Sequence, residues 1–123
     1  MSRAIDADAA PKKAGPYSHA VRSGNLVFCS GQGPFDPATG SIPERFEDQV
    51  RQTLRNLATV AEAAGGSLAH AIRVGVYLRD MANFPALNEV YAEFFPEPRP
   101  ARTTVQSNLR IEVEIDAVLE VRR

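Results

Sequence analysis

Two histidines, one cysteine, two lysines and a run of carboxylates near the end make up most of the chemistry that this 123-residue chain can offer. His19 and His70 have no metal-ligand spacing to each other or to Cys29, and no H-x-E with P-C-x-x-C is present to build a zinc deaminase site. Metal catalysis is therefore not expected. No G-x-G-x-x-G or G-x-x-x-x-G-K occurs, and GQGPFDPATG lacks the lysine and helix pattern of a phosphate loop, so a nucleotide cofactor is not expected either. Lys12 and Lys13 are adjacent and lie between Pro11 and Ala14, a poor setting for the desolvated lysine that a Schiff base needs. What remains is Arg102, within PARTTV at Pro100–Val105, and a carboxylate on the last strand. A guanidinium matches a substrate carboxylate with two parallel donors, and a carboxylate orients or deprotonates water. By residue type alone, Arg102 is more often an ion-pair residue at a surface or interface, and a carboxylate on the outer face of a strand is usually just solvated.

The elements that must hold these residues are readable from periodicity. Phe46, Val50, Leu54, Leu57, Ala61 and Ala64 recur at three- and four-residue steps and predict one face of a long helix that Gly65 and Gly66 end. Phe84, Leu87, Val90, Tyr91, Phe94 and Phe95 predict a second helix, with Asn83 as N-cap, Pro85 in the first turn, Pro96 as the stop, and Glu89 and Glu93 facing solvent. Between them Ile72, Val74, Val76 and Leu78 alternate with Arg73, Gly75, Tyr77 and Arg79, the period of a strand covered on one side. Leu26–Ser30 reads as a strand buried more fully, with Cys29 as a core thiol. In the last strand Ile111, Val113, Ile115, Ala117, Leu119 and Val121 point one way, and Glu112, Glu114, Asp116, Val118, Glu120 and Arg122 the other. The expected fold is a single α+β domain over residues 1–123, a mixed sheet with both helices packed on one face. Its other face, carrying Glu114, must meet water or another subunit.

Composition narrows the function classes. A hydrophobic fraction of 44% with 24% charged residues supports one core and is far from a disordered profile. The longest uninterrupted apolar run is Leu26–Cys29, and the start MSRAIDADAAPKK carries two aspartates where a signal peptide would be apolar, so a cytoplasmic protein without membrane contact is expected. A formal net charge of −1 without a basic stripe disfavours nucleic acid as a partner.

GPYSHAV at Gly15–Val21, SGQGPFDPATG at Ser30–Gly40 and LNEVYAEFFPEPRPARTTV at Leu87–Val105 resemble, in order, the signatures of the RidA (YjgF) family, and the match continues to the VRR tail. The resemblance implies a chorismate-mutase-like fold, a homotrimer with three clefts between subunits, and cofactor-free hydrolysis of reactive 2-imino acids to 2-keto acids and ammonia. It implies scavenging of imines derived from 2-aminoacrylate, with 2-iminopropanoate and 2-iminobutanoate as substrates. Carried over by position, it makes Arg102 the clamp for the substrate carboxylate and Glu114 the group that positions water, with Tyr17, Ser30, Gly31 and Asn88 lining the cleft. Thr104 stands where many members have cysteine. The stretch from Gln106 to Arg110 is short for the family, which leaves Glu112 as the rival of Glu114. Other roles attached to the family are a deaminase for one pathway imine, a non-catalytic metabolite-binding regulator or chaperone, and an endoribonuclease or translation inhibitor.

Overall fold

Alternating burial along Val113–Glu120 matches the two-residue period of its sequence: Val113, Ile115, Ala117 and Leu119 are buried, and the residues between them are partly exposed. In the computed structural model, which describes residues 1–122, this strand becomes the centre of a six-stranded sheet. The last residue of the predicted unit, Arg123, lies outside the described residues. The chain runs β1 (Ser2–Ile5), β2 (Ala20–Ser23), β3 (Leu26–Gln32), α1 (Phe46–Ala63), β4 (Ala71–Leu78), α2 (Phe84–Phe94), β5 (Ala101–Gln106) and β6 (Val113–Glu120). The spatial order is β1-β2-β3-β6-β4-β5, with β4 and β5 parallel and every other neighbouring pair antiparallel. Helices α1 and α2 serve as crossovers, and both cover one face of the sheet, as periodicity predicts.

On α1, Val50, Leu54, Leu57, Val60 and Ala61 are fully buried against the sheet. Each large aliphatic side chain so removed from water contributes about 1.5–3 kcal/mol. Glu47 and Asp48 in the first turn complement the positive end of the helix. Gly65, at φ +87, closes the other end in a Schellman motif: its own N–H reaches Glu62 O at 3.0 Å and the Gly66 N–H reaches Ala61 O at 2.9 Å. Helix α2 buries Leu87, Val90 and Tyr91 and leaves Glu89 and Glu93 exposed.

Four local expectations need correction. Asn83 precedes α2 but makes no capping hydrogen bond, because a short 3-10 turn, Met81–Asn83, already leads into the helix. Ile72 is 46% exposed, since the pairing of β4 with β6 shifts register between Ala71 and Arg73 and the extra residue turns it outward. β3 alternates as well: Val27 and Cys29 are buried, but Phe28 is 47% exposed on the face away from the helices. Ile111 and Glu112 precede β6, and Val121 follows it.

Candidate active site

The two faces of the sheet carry different halves of the predicted site. Arg102 on β5 is in register with Val74, so its side chain lies on the helix-covered face. Glu114 on β6 is in register with Tyr77 and lies on the open face. Within one chain the expected clamp, Arg102, and the expected water-positioning carboxylate, Glu114, are therefore on opposite sides of the sheet, a separation that period-two patterning cannot reveal for two strands of unknown register.

On the helix side, the Arg102 guanidinium lies 4.6 Å from the ring centroid of Tyr91 and 5.6 Å from that of Phe84. Its Nη2 donates to Asn88 Oδ1 at 2.8 Å. Tyr91 is stacked on Phe95 with centroids 4.5 Å apart, so the platform is itself fixed in the core. Cation–π contact and one amide bond hold the guanidinium without neutralising it; among the described residues it forms no ion pair. Thr104, two residues on, is in register with Val76, and its buried Oγ1 has no hydrogen-bond partner among the described residues. Arg102, Asn88 and Thr104 thus form one cluster beneath α2, at the outermost strand of the sheet.

On the open face, Tyr17, Gly31 and Glu114 line one cavity of ≈ 270 Å³. A Cβ at position 31 would come within 2.9 Å of Glu114 Cδ, so the carboxylate lies across bare backbone there, and only glycine admits it. Burial, and after it the nearby Asp116, raises the Glu114 carboxyl above the ordinary glutamate value; no hydrogen bond contributes. Asp116 differs: it accepts from Gly75 N–H at 3.1 Å and from the Tyr77 hydroxyl at 2.9 Å. The rival carboxylate, Glu112, is turned to Arg79 at 3.5 Å and does not line the cavity. Glu114 is therefore the carboxylate free to hold a water.

Ser30 supports this cavity without lining it. Its Oγ donates to Ser18 O at 2.7 Å and its N–H to His19 O at 2.9 Å, tying the Tyr17 loop to β3. Tyr17 Oη accepts from Ala14 N–H at 3.1 Å. Cys29 is buried as expected, and burial pushes its thiol up to about 12, which leaves it protonated and inert.

Two supporting residues escape a reading based on catalytic types. Asn56 is buried in α1, and its amide donates to Gly33 O at 2.9 Å and to Phe35 O at 2.8 Å, fixing the loop that walls the cavity. Its signal was a polar stripe, Gln49, Thr53 and Asn56, running at helical spacing beside the apolar one. His19 accepts the Ala7 N–H at Nδ1 and donates from Nε2 to Pro11 O, both at 2.9 Å, and so anchors the N-terminal segment along the same cavity. Backbone partners of opposite kinds fix the orientation of the ring.

No helix among the described residues is long and apolar enough to cross a membrane. The family model described as "Endoribonuclease L-PSP" matches residues 7–121. The chain is 46% identical over 126 residues to RutC family protein PH0854 of Pyrococcus horikoshii, covering 98% of this chain and 100% of the relative. It is 37% identical over 124 residues to a 2-iminobutanoate/2-iminopropanoate deaminase of Dermatophagoides farinae, covering 96% and 97%. The crystal structure of RidA from the Antarctic bacterium Psychrobacter sp. PAMC 21119 superposes with a TM-score of 0.93 at 42% identity, covering 97% of this chain and 99% of that one. With near-complete coverage in sequence and in structure, and with the signature residues gathered on the two faces of one sheet, the chain belongs to the RidA (YjgF) family.

Proposed function

We propose that the protein is a cytoplasmic scavenger that hydrolyses 2-imino acids, 2-iminopropanoate and 2-iminobutanoate among them, to 2-oxo acids and ammonia in clefts between the subunits of a homotrimer. The observation that carries the reading is the division of the site: an un-neutralised guanidinium at the sheet edge and an unbonded carboxylate on the open face, each complete except for the other. A second copy seated with its open face against β5 unites them. Phe28, 47% exposed on that face, and Val105, 41% exposed on β5, supply apolar surface for such a contact.

In that cleft Arg102 of one subunit grips the substrate carboxylate and sets the imine carbon opposite Glu114 of the next. With the imine nitrogen protonated, C2 is strongly electrophilic. Glu114 takes a proton from the water whose oxygen bonds to C2, and the C=N pair moves onto nitrogen, giving a neutral carbinolamine carbon. Returning that proton to the amine makes it a leaving group. The C–N bond breaks as the new hydroxyl becomes the carbonyl and releases its proton, so imine and water leave as 2-oxo acid and ammonium. Arg102 serves binding and geometry, and Glu114 serves proton transfer.

An amino-acid oxidase generating imines in place, with catalase present and 2-oxo acid followed against time, tests the reading. The expected result is faster imine loss with wild-type protein and no acceleration with Glu114→Gln. Equal rates with and without wild-type protein would refute it and favour a binding or regulatory role; cleavage of RNA under those conditions would favour the nuclease one.

A further inference from the structure

The cavity that holds Glu114 is walled by Phe35, Leu109 and Ile111, with Lys12 and Arg110 also among its lining residues. Glu114 is half-buried, whereas Lys12 and Arg110 are exposed, so the carboxylate lies at the base and the cations at the rim. Of the carboxylates near them in sequence, Asp6 is engaged with Lys13 at 2.9 Å and Glu112 with Arg79 at 3.5 Å, whereas Asp8 stands in no ion pair among the described residues. Among the described residues neither Lys12 nor Arg110 stands in an ion pair.

A short apolar shaft leading from a reaction centre to two uncompensated cations fits a substrate side chain of a definite kind. We infer that Lys12 and Arg110 select 2-imino acids bearing a second, terminal carboxylate, of about the length of 2-iminoglutarate, an inference that rests on the imine-hydrolysis reading. Arg102 holds the first carboxylate, and the methylenes lie along Phe35, Leu109 and Ile111. The terminal carboxylate then reaches the rim, where exchange of hydration for two cations is favourable and long-range attraction raises the rate of encounter. A side chain without that charge leaves the cations solvated and gains only the apolar wall. Exposure makes the effect salt-sensitive, because charges in contact with solvent are screened within a Debye length.

The decisive quantity is the ratio of kcat/KM on 2-iminoglutarate to that on 2-iminopentanoate, which differ only in the terminal group, measured in the coupled oxidase assay. The wild-type ratio is expected to exceed about fivefold, to shrink as ionic strength rises, and to fall to about one in the Lys12→Ala, Arg110→Ala double variant. Lys12→Arg with Arg110→Lys should keep it, since charge rather than a planar fork is required. A wild-type ratio near one, or a ratio unmoved in the alanine double variant, overturns the inference while imine hydrolysis stands. If wild-type protein hydrolyses no imine at all, the function reading has failed separately. Calorimetry with 2-oxoglutarate against 2-oxopentanoate then decides: a preference lost in the alanine double variant supports the rim, and equal affinities overturn it.

Discussion

Replacing Arg102 by lysine separates charge from geometry. The guanidinium is stacked 4.6 Å from the Tyr91 centroid and spends one Nη2 hydrogen on Asn88 at 2.8 Å, which leaves its remaining end-on N–H groups as a preset fork for a carboxylate. Lysine keeps the charge but loses the planar pair of donors and most of the stacking that aims it. Losing one charge-assisted hydrogen bond costs about 1.5–3 kcal/mol, and weakening an exposed-to-buried cation–π contact about 0.5–1 kcal/mol. Part of that sum is recovered because an ammonium still attracts the carboxylate, so a net loss of about 2–3 kcal/mol, or about 30- to 150-fold in kcat/KM, is expected. The assay is 2-iminopropanoate hydrolysis in the coupled system, with light scattering to show that the assembly mass is unchanged. A variant within about threefold of wild type would make Arg102 an interface residue and refute the clamp.

Gly31→Ala should leave the melting temperature nearly unchanged, since the added Cβ meets only the end of the Glu114 side chain, yet it should cut imine hydrolysis at least tenfold by displacing that carboxylate. Glu114→Gln should be more stable than wild type at neutral pH, as measured by urea unfolding. A carboxyl whose folded value is raised favours the fold below its unfolded value of about 4.3, and that favour is lost as pH climbs through the raised value; the advantage of the glutamine should therefore vanish in acid. An equal gap at both pH values would contradict this. Asn56→Ala should lower stability by about 2–3 kcal/mol, because the Gly33 and Phe35 carbonyls lose their donor and a cavity opens beside them. Hydrogen exchange at the 33–36 loop should accelerate in that variant, and unchanged exchange would remove Asn56 from the site's support.

Periodicity alone determined the two helices and the β4 and β6 strands, because helical and strand repeats are local properties that burial must respect, and chain length pointed to a single domain. The termination of α1 at Gly65 was legible for the same reason, as a left-handed residue is cheapest without a Cβ. The short strands β1 and β2 have too few residues to show a period, and the bulge at Ile72 breaks the period that β4 does show. Chemistry by residue type, with the family signatures, brought Arg102, Asn88, Tyr17, Gly31 and Glu114 into view. Only the sheet register decided that Arg102 and Glu114 face opposite ways, because pairing joins strands far apart in sequence and a shift of one residue would have reversed either side chain. Tertiary packing likewise gave Glu114 and Glu112 different surroundings: one carboxylate lies over Gly31 with no hydrogen bond among the described residues, while the other found Arg79.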